Sequence, residues 1–168
     1  MKKDFSNGEL TIVWRPVKCI HSGICVKTLP DVYDPKAKPW IQPENASTDA
    51  LVRQVDKCPS GALSYFFNQD ETSGSFRDNE AGKRYELLFE GHTAFIDYKK
   101  TRNKIYLIHT DVPAALEGRG IGLRIVLQAL VDIRKKGLVL VPLCPFVAKY
   151  LKKHPHWNEL VKNGTNTT

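Results

Sequence analysis

Four cysteines and one glycine-rich turn are the residues of this chain most able to do chemistry. Cys19, Cys25 and Cys58 fall in the first third of the sequence, and Cys58 is followed at once by Pro59. A thiolate is a soft, charged donor, so a spaced set of this kind suits a thiophilic metal. Further along, Glu117-Gly118-Arg119-Gly120-Ile121-Gly122 opens a long apolar-periodic stretch. A glycine-rich helix entry presents unpaired backbone N–H groups with no side chains in the way. The helix dipole adds attraction for a phosphate or pyrophosphate, and Arg119 can add a charge-assisted contact. Cys144, in Pro142-Leu143-Cys144-Pro145, ends an apolar run beside a helix start. A helix N-terminus lowers a thiol's pKa, so Cys144 could serve as acid or nucleophile.

The elements that must position these groups follow from apolar periodicity. In the first part, Glu9 to Trp14 reads as a strand and Ser22 to Leu29 as a short turn or helix. A proline-rich loop follows. Ser47 or Thr48 caps a helix that runs to about Lys57, where Cys58-Pro59-Ser60-Gly61 stops it, and Leu63 to Phe67 reads as a closing strand. In the second part, Tyr85, Leu87 and Phe89 alternate with polar neighbours, and Thr93 to Tyr98 is the next strand. Lys104 to Thr110 carries apolar residues on both faces, as in a central strand. A helix over about 120–136 places Leu123, Val126, Leu127, Leu130 and Ile133 on one stripe, and Gly137 stops it. Leu138 to Val141 is a short strand, and the last helix runs from about Pro145 to Lys153.

The chain has 168 residues, of which 42% are hydrophobic, enough for a packed core. The net charge of +7 falls entirely in residues 84–168, with 14 basic against 7 acidic side chains. That asymmetry points to an anionic ligand for the second half. No run approaches the ~18 apolar residues of a membrane span. The N-terminus lacks the apolar core of a signal peptide, so the expected compartment is the cytoplasm. Reducing conditions there disfavour structural disulfides and favour metal or catalytic roles for the cysteines.

The stretch from His109 to Pro155, with its glycine turn, resembles the GNAT acetyltransferases (Gcn-related N-acetyltransferases), and within them a short group of minimal acetyltransferase-like proteins. The resemblance covers about residues 84 to 160. It implies that Arg119, Gly120, Ile121 and Gly122 hold the pyrophosphate of acetyl-CoA. Asp111 and Val112, with Thr110 nearby, would offer backbone groups to the pantetheine arm. It also implies direct acetyl transfer to an amine, with Tyr150 where such enzymes often place the acid for the leaving thiolate. His109 and Glu117 are candidates for the base. Larger members carry Gln or Arg where Glu117 stands, and a helix pair that this chain lacks.

Bacterial ferredoxins bind a cubane cluster through C-x₂-C-x₂-C and a remote Cys-Pro. Cys19, Ser22, Cys25 and Cys58-Pro59 fit that pattern with Ser22 in place of the middle cysteine. Trp14 to Cys19, Asp31-Val-Tyr-Asp34, Pro39-Trp40-Ile41 and Cys58 to Leu63 resemble the divergent single-cluster ferredoxin-like domains over about residues 8 to 67. The resemblance implies one iron–sulfur cluster on Cys19, Cys25 and Cys58. Three cysteines suit [3Fe-4S]; a [4Fe-4S] form would need a fourth ligand from Ser22, water, a small molecule or His21. Zinc on the three cysteines and His21 is the other metal reading.

The expectation is therefore an α+β chain: a small ferredoxin-like iron–sulfur domain (1–68), a linker (69–83), a minimal GNAT α/β domain (84–160) with an antiparallel-dominated sheet and two helices, and a tail (161–168). The expected function is acetyl-CoA-dependent N-acetyl transfer to a small-molecule or protein amine, with the cluster in a redox, sensing or structural role and a redox partner possible. The alternative is a ferredoxin-like electron-transfer protein with a non-catalytic CoA-binding module. The aromatics Tyr85, Phe89, Phe95 and Tyr98 are spaced like core strands rather than a stacking platform, which argues against nucleic acid.

Overall fold

The computed structural model describes residues 1–69 and 74–162. Residues 70–73 of the expected linker and 163–168 of the expected tail lie outside them. The chain divides into two compact units, Met1–Asn68 and Gln69–Thr168. It is an α+β protein with a mainly antiparallel sheet in each unit.

The first unit is built on a three-stranded antiparallel sheet of β1 (Lys3–Ser6), β2 (Leu10–Trp14) and β3 (Leu63–Phe67), in that order. β1 escapes periodicity because a single half-buried apolar residue, Phe5, among polar, exposed neighbours makes no pattern; its register against β2 is fixed beside the Asn7–Gly8 turn, where the Asn7 side chain accepts from the amides of Glu9 and Leu10. The first helix, α1 (Ile24–Thr28), is a single turn entered through Gly23 at φ 71°. In α2 (Thr48–Val55), Ser47 caps the N-terminus by accepting from the Ala50 amide at 3.3 Å. This helix buries Leu51, Val52 and Val55, and it ends short of Cys58.

The second unit is a five-stranded sheet in the order β4 (Ser75–Asn79), β5 (Arg84–Phe89), β6 (His92–Lys100), β7 (Lys104–Asp111) and β8 (Val139–Pro142). Among the described residues, only the β7–β8 pairing is parallel. β4 corrects the reading of 69–83 as a linker. The run Ser-Phe-Arg-Asp-Asn is too polar to announce a strand, yet its polar groups find partners on other elements. Tyr98 donates to Asp78 at 2.6 Å, and Lys136 donates to Asp78 at 2.6 Å. Arg77 and Asn79 donate to Glu86 on β5 at 2.6 and 2.9 Å.

Helix α3 (Ile121–Lys135) packs on β5, β6 and β7, and α4 (Pro145–Lys153) packs beside it. Val126, Leu127, Leu130 and Ile133 are buried as expected, but Leu123 is 53% exposed. The buried face runs through Gly122, Ile125 and Ala129, and each step of one residue turns the helix by ~100°. A short turn and α5 (Glu159–Lys162) follow, with Trp157 fully buried. Among the described residues, no helix is long and apolar enough to cross a membrane.

Candidate functional site

In the first unit, a 3₁₀ turn over Pro16–Lys18 delivers Cys19, whose amide donates to Pro16 O. The loop to Cys25 passes through two left-handed residues, His21 (φ 54°) and Gly23. Such backbone bends turn successive N–H groups to one side, the arrangement that makes an anion-binding nest. Cys25 lies in the first turn of α1. Cys58 follows α2, and the chain then turns through Pro59 to Gly61 at φ 64°. All three thiols are half-buried, unbonded to one another, and line one cavity of about 670 Å³.

Their environments differ. Burial pushes the Cys25 thiol up, and the nearby Cys19 and Cys58 sulfurs add to this, against a partial counter-effect of the Val26 amide. For Cys58, burial acts in the same direction but is outweighed by the amides of Leu63, Ser60 and Ala62 and by the Ser60 hydroxyl, 3.8 Å from the sulfur; its thiol lies below the ordinary value. Among the described residues, no three His, Cys, Asp or Glu side chains gather tightly enough to hold a single ion. A cluster takes each thiolate on a different iron and accepts wider spacing. The same cavity is lined by Trp40 and Gln54, whose buried Nε1 and carboxamide atoms have no protein partner. An acceptor-rich group would satisfy the donors among them, so the residues present fit an iron–sulfur cluster. Ser22 and His21 are exposed at the rim. Trp40 belongs to a stretch already notable in the sequence; no spacing rule singles out Gln54.

In the second unit, β7 and β8 run together only from Lys104↔Val139 to Leu107↔Pro142. The Leu107 carbonyl then accepts from both Leu143 N and Cys144 N, at 3.0 and 2.8 Å, and the strands part. A register shift at Asp97/Tyr98 on β6 leaves Ile108 as an extra residue in β7, a bulge that bends the strand. His109 to Asp111 keep their pairing with β6, while among the described residues their other edge has no strand beside it. At this parting Thr110 Oγ1 lies 3.3 Å from Cys144 Sγ. Cys144 is buried and occupies the N-cap of α4. Tyr150 is buried further along α4, about 9 Å up the axis at 1.5 Å per residue, with its ring 4.3 Å from that of His154. Thr110 and Cys144 are thus together.

The glycine turn enters α3 with Gly118 at φ 72° and Gly120, the N-cap, at φ 76°. No side chain caps the helix, which leaves the amides of its first turn without intrahelical partners. Gly122 serves packing as well: a Cβ there would come within 2.8 Å of Phe146 on α4 and 3.4 Å of Val112. Arg119 pairs with Glu90 in the β5–β6 turn and lies over the Phe89 ring. His109 and Glu117 are exposed.

Residues 5–68 match the family described as a divergent 4Fe-4S mono-cluster, and residues 84–160 match the GCN5-related N-acetyl-transferase family. A divergent 4Fe-4S mono-cluster domain is thus followed by a GCN5-related N-acetyl-transferase domain. Two curated relatives, the uncharacterized protein YjdI of Escherichia coli strain K12 and that of Escherichia coli O157:H7, are each 34% identical over 61 residues. That alignment spans 36% of this chain and 80% of each relative. The 4Fe-4S mono-cluster unit therefore carries the three-thiol cavity. The GCN5-related unit carries the parted strands and the uncapped glycine turn.

Proposed function

We propose that the chain transfers an acetyl group from acetyl-CoA to an amine, and that Cys19, Cys25 and Cys58 hold an iron–sulfur cluster with a redox, sensing or structural role. The observation that carries the transferase reading is the parting of β7 from β8 at Leu107, with Thr110 and Cys144 in the wedge and the uncapped start of α3 nearby in sequence. A strand edge without a partner strand offers backbone groups to the amides of a pantetheine arm, here at Asp111 and Val112 with Thr110 adjacent. The glycine turn, Arg119 to Gly122, offers its amides to the pyrophosphate. Excess basic charge in this half suits an anionic co-substrate.

The chemistry is direct. A neutral amine attacks the thioester carbonyl, and the carbon–nitrogen bond forms as the oxygen takes up negative charge. Backbone N–H groups stabilise that oxyanion. The carbon–sulfur bond then breaks, the amine loses its proton to a base such as His109 or Glu117, or to water, and an acid protonates the CoA thiolate. Cys144, in the wedge, and Tyr150 are the acids to test.

In the other unit, three thiolates support [3Fe-4S], or [4Fe-4S] with one iron corner held by something other than cysteine. A bound cluster would supply one-electron chemistry or an iron-responsive structural core. We place the protein in the cytoplasm, where reducing conditions keep thiols available for a cluster.

Calorimetry with CoA and acetyl-CoA, followed by mass spectrometry of a panel of amines, tests the transferase reading. Micromolar binding and acetylated product are expected. Failure to bind either compound overturns the reading. Binding with no transfer to any amine favours a CoA-docking module attached to an electron carrier.

A further inference from the structure

The first unit buries an unusual set of side-chain donors that nothing in the protein receives. Tyr33 Oη, Trp40 Nε1 and both carboxamide atoms of Gln54 are buried without a hydrogen-bond partner. Tyr33 is 0% exposed and Gln54 1%. Folded proteins pair nearly all such atoms, so a concentration of them in one small unit calls for an acceptor. Two of the three share a cavity with the thiols, and Tyr33 lies beside one of those two. Trp40 and Gln54 line the cavity with Cys19, Cys25 and Cys58, and Gln54 sits one helical turn before Cys58. The Tyr33 ring centre is 6.0 Å from that of Trp40. The cations Lys3 and Lys38 also line the cavity, and no carboxylate does.

We propose that Tyr33 Oη, Trp40 Nε1 and Gln54 Nε2 donate hydrogen bonds to the sulfurs of the cluster held by Cys19, Cys25 and Cys58, and that they raise its midpoint potential. The proposal rests on the cluster reading above. Thiolate and sulfide sulfurs are acceptors, an indole N–H can only donate, and a protonated phenol has a proton to give. Gln54 Oε1 is left to a water or to an iron without a thiolate. One-electron reduction adds a negative charge to the cluster. Donors and nearby cations stabilise that charge more in the reduced than in the oxidised state, which moves the couple upward. The unit is thereby built to accept and keep an electron, as a sensor of reducing conditions does, rather than to release it as a low-potential carrier.

The test uses the full chain, reconstituted without oxygen and titrated with dithionite, with the midpoint read by EPR and visible absorption. Gln54→Leu and Tyr33→Phe each remove a donor while nearly keeping the volume, and Trp40→Phe removes one together with part of the ring system. Each is expected to shift the midpoint downward at unchanged iron and sulfide content. Exchangeable-deuteron couplings to the cluster, seen by ENDOR in D₂O, should diminish in the same variants. Tyr33→Phe keeps the ring and drops only the hydroxyl, so it decides the matter if Gln54→Leu assembles poorly. A wild-type cluster whose midpoint is matched by all three variants overturns the proposal, and shows that the donors face water instead. Wild-type protein with no iron or sulfide overturns the cluster reading itself, a different failure from an unmoved potential.

Discussion

Arg119, in the glycine turn, is already engaged: its Nη1 and Nη2 donate to the two carboxylate oxygens of Glu90 at 2.6 and 2.9 Å. The hydrogen bonds from Arg119 hold the Glu90 carboxyl below the usual carboxylate range, so the pair persists at neutral pH. A pyrophosphate arriving at the turn must compete with Glu90 for the guanidinium. Glu90→Gln is expected to tighten CoA binding several-fold, and Arg119→Gln to weaken it, both read by calorimetry at low ionic strength, where charge-assisted contacts are least screened. Equal affinity in wild type and both variants would remove Arg119 from the phosphate site.

Gly120 at φ 76° has open space where a Cβ would stand, so only the backbone conformation resists substitution. Gly120→Ala is expected to cost roughly 1–2 kcal/mol of stability and to weaken CoA binding. Gly122→Ala instead pushes on the partly exposed Phe146 ring, which can give way. Its stability loss should be the smaller of the two by thermal denaturation.

Strand β4 depends on Asp78. This carboxylate receives hydrogen bonds from Tyr98 and Lys136, and Lys136 also meets Asp132 at 2.7 Å, which in turn accepts from Tyr85 at 2.9 Å. Asp78→Ala leaves a buried phenol unpaired and frees one partner of the lysine. The expected destabilisation is about 1–3 kcal/mol, with amides of residues 75–79 losing protection in hydrogen exchange first. Unchanged protection would mean that β4 is held by its strand pairing alone.

Glu86 gives a pH signature. The Asn79 side chain first, then Arg77, lower its pKa against the opposing effect of burial. Because the folded value is depressed, the associated stability is present above the unfolded value of ~4.3. It is lost as pH falls through the folded value. Glu86→Gln is expected to be less stable than wild type at pH 7 and to lose less on acidification, so the two denaturation curves should converge as pH falls through the folded value. Parallel curves would argue against this linkage.

Ser22 stands where the four-cysteine pattern has its second thiolate. Ser22→Cys is expected to give a cluster that keeps four irons through mild ferricyanide oxidation, measured by iron and acid-labile sulfide. Cys58→Ala should lose most of the iron. If Ser22→Cys changes neither iron count nor oxidative stability, the open corner lies elsewhere.

By itself the sequence was enough to place the three thiols, the glycine turn, the ends of β3 and α4, and the division of charge between the two halves. Each is a local matter, written in residue type and short spacing. The pairing of Glu90 with Arg119, 29 residues away, and of Thr110 with Cys144, 34 residues away, came only from the tertiary structure. So did β4, whose polar residues look like linker until Asp78, Arg77 and Asn79 meet partners on other elements. Leu123 carries the same message in reverse: an apolar residue in a periodic stripe, it is exposed because the sheet and α4 cover a different arc of α3. Tyr33 stands out in the sequence only as part of the Asp31-Val-Tyr-Asp34 stretch, and Gln54 not at all. What makes them notable is burial without partners, a property of the packed chain that no local pattern encodes, because burial is decided by elements far away in sequence.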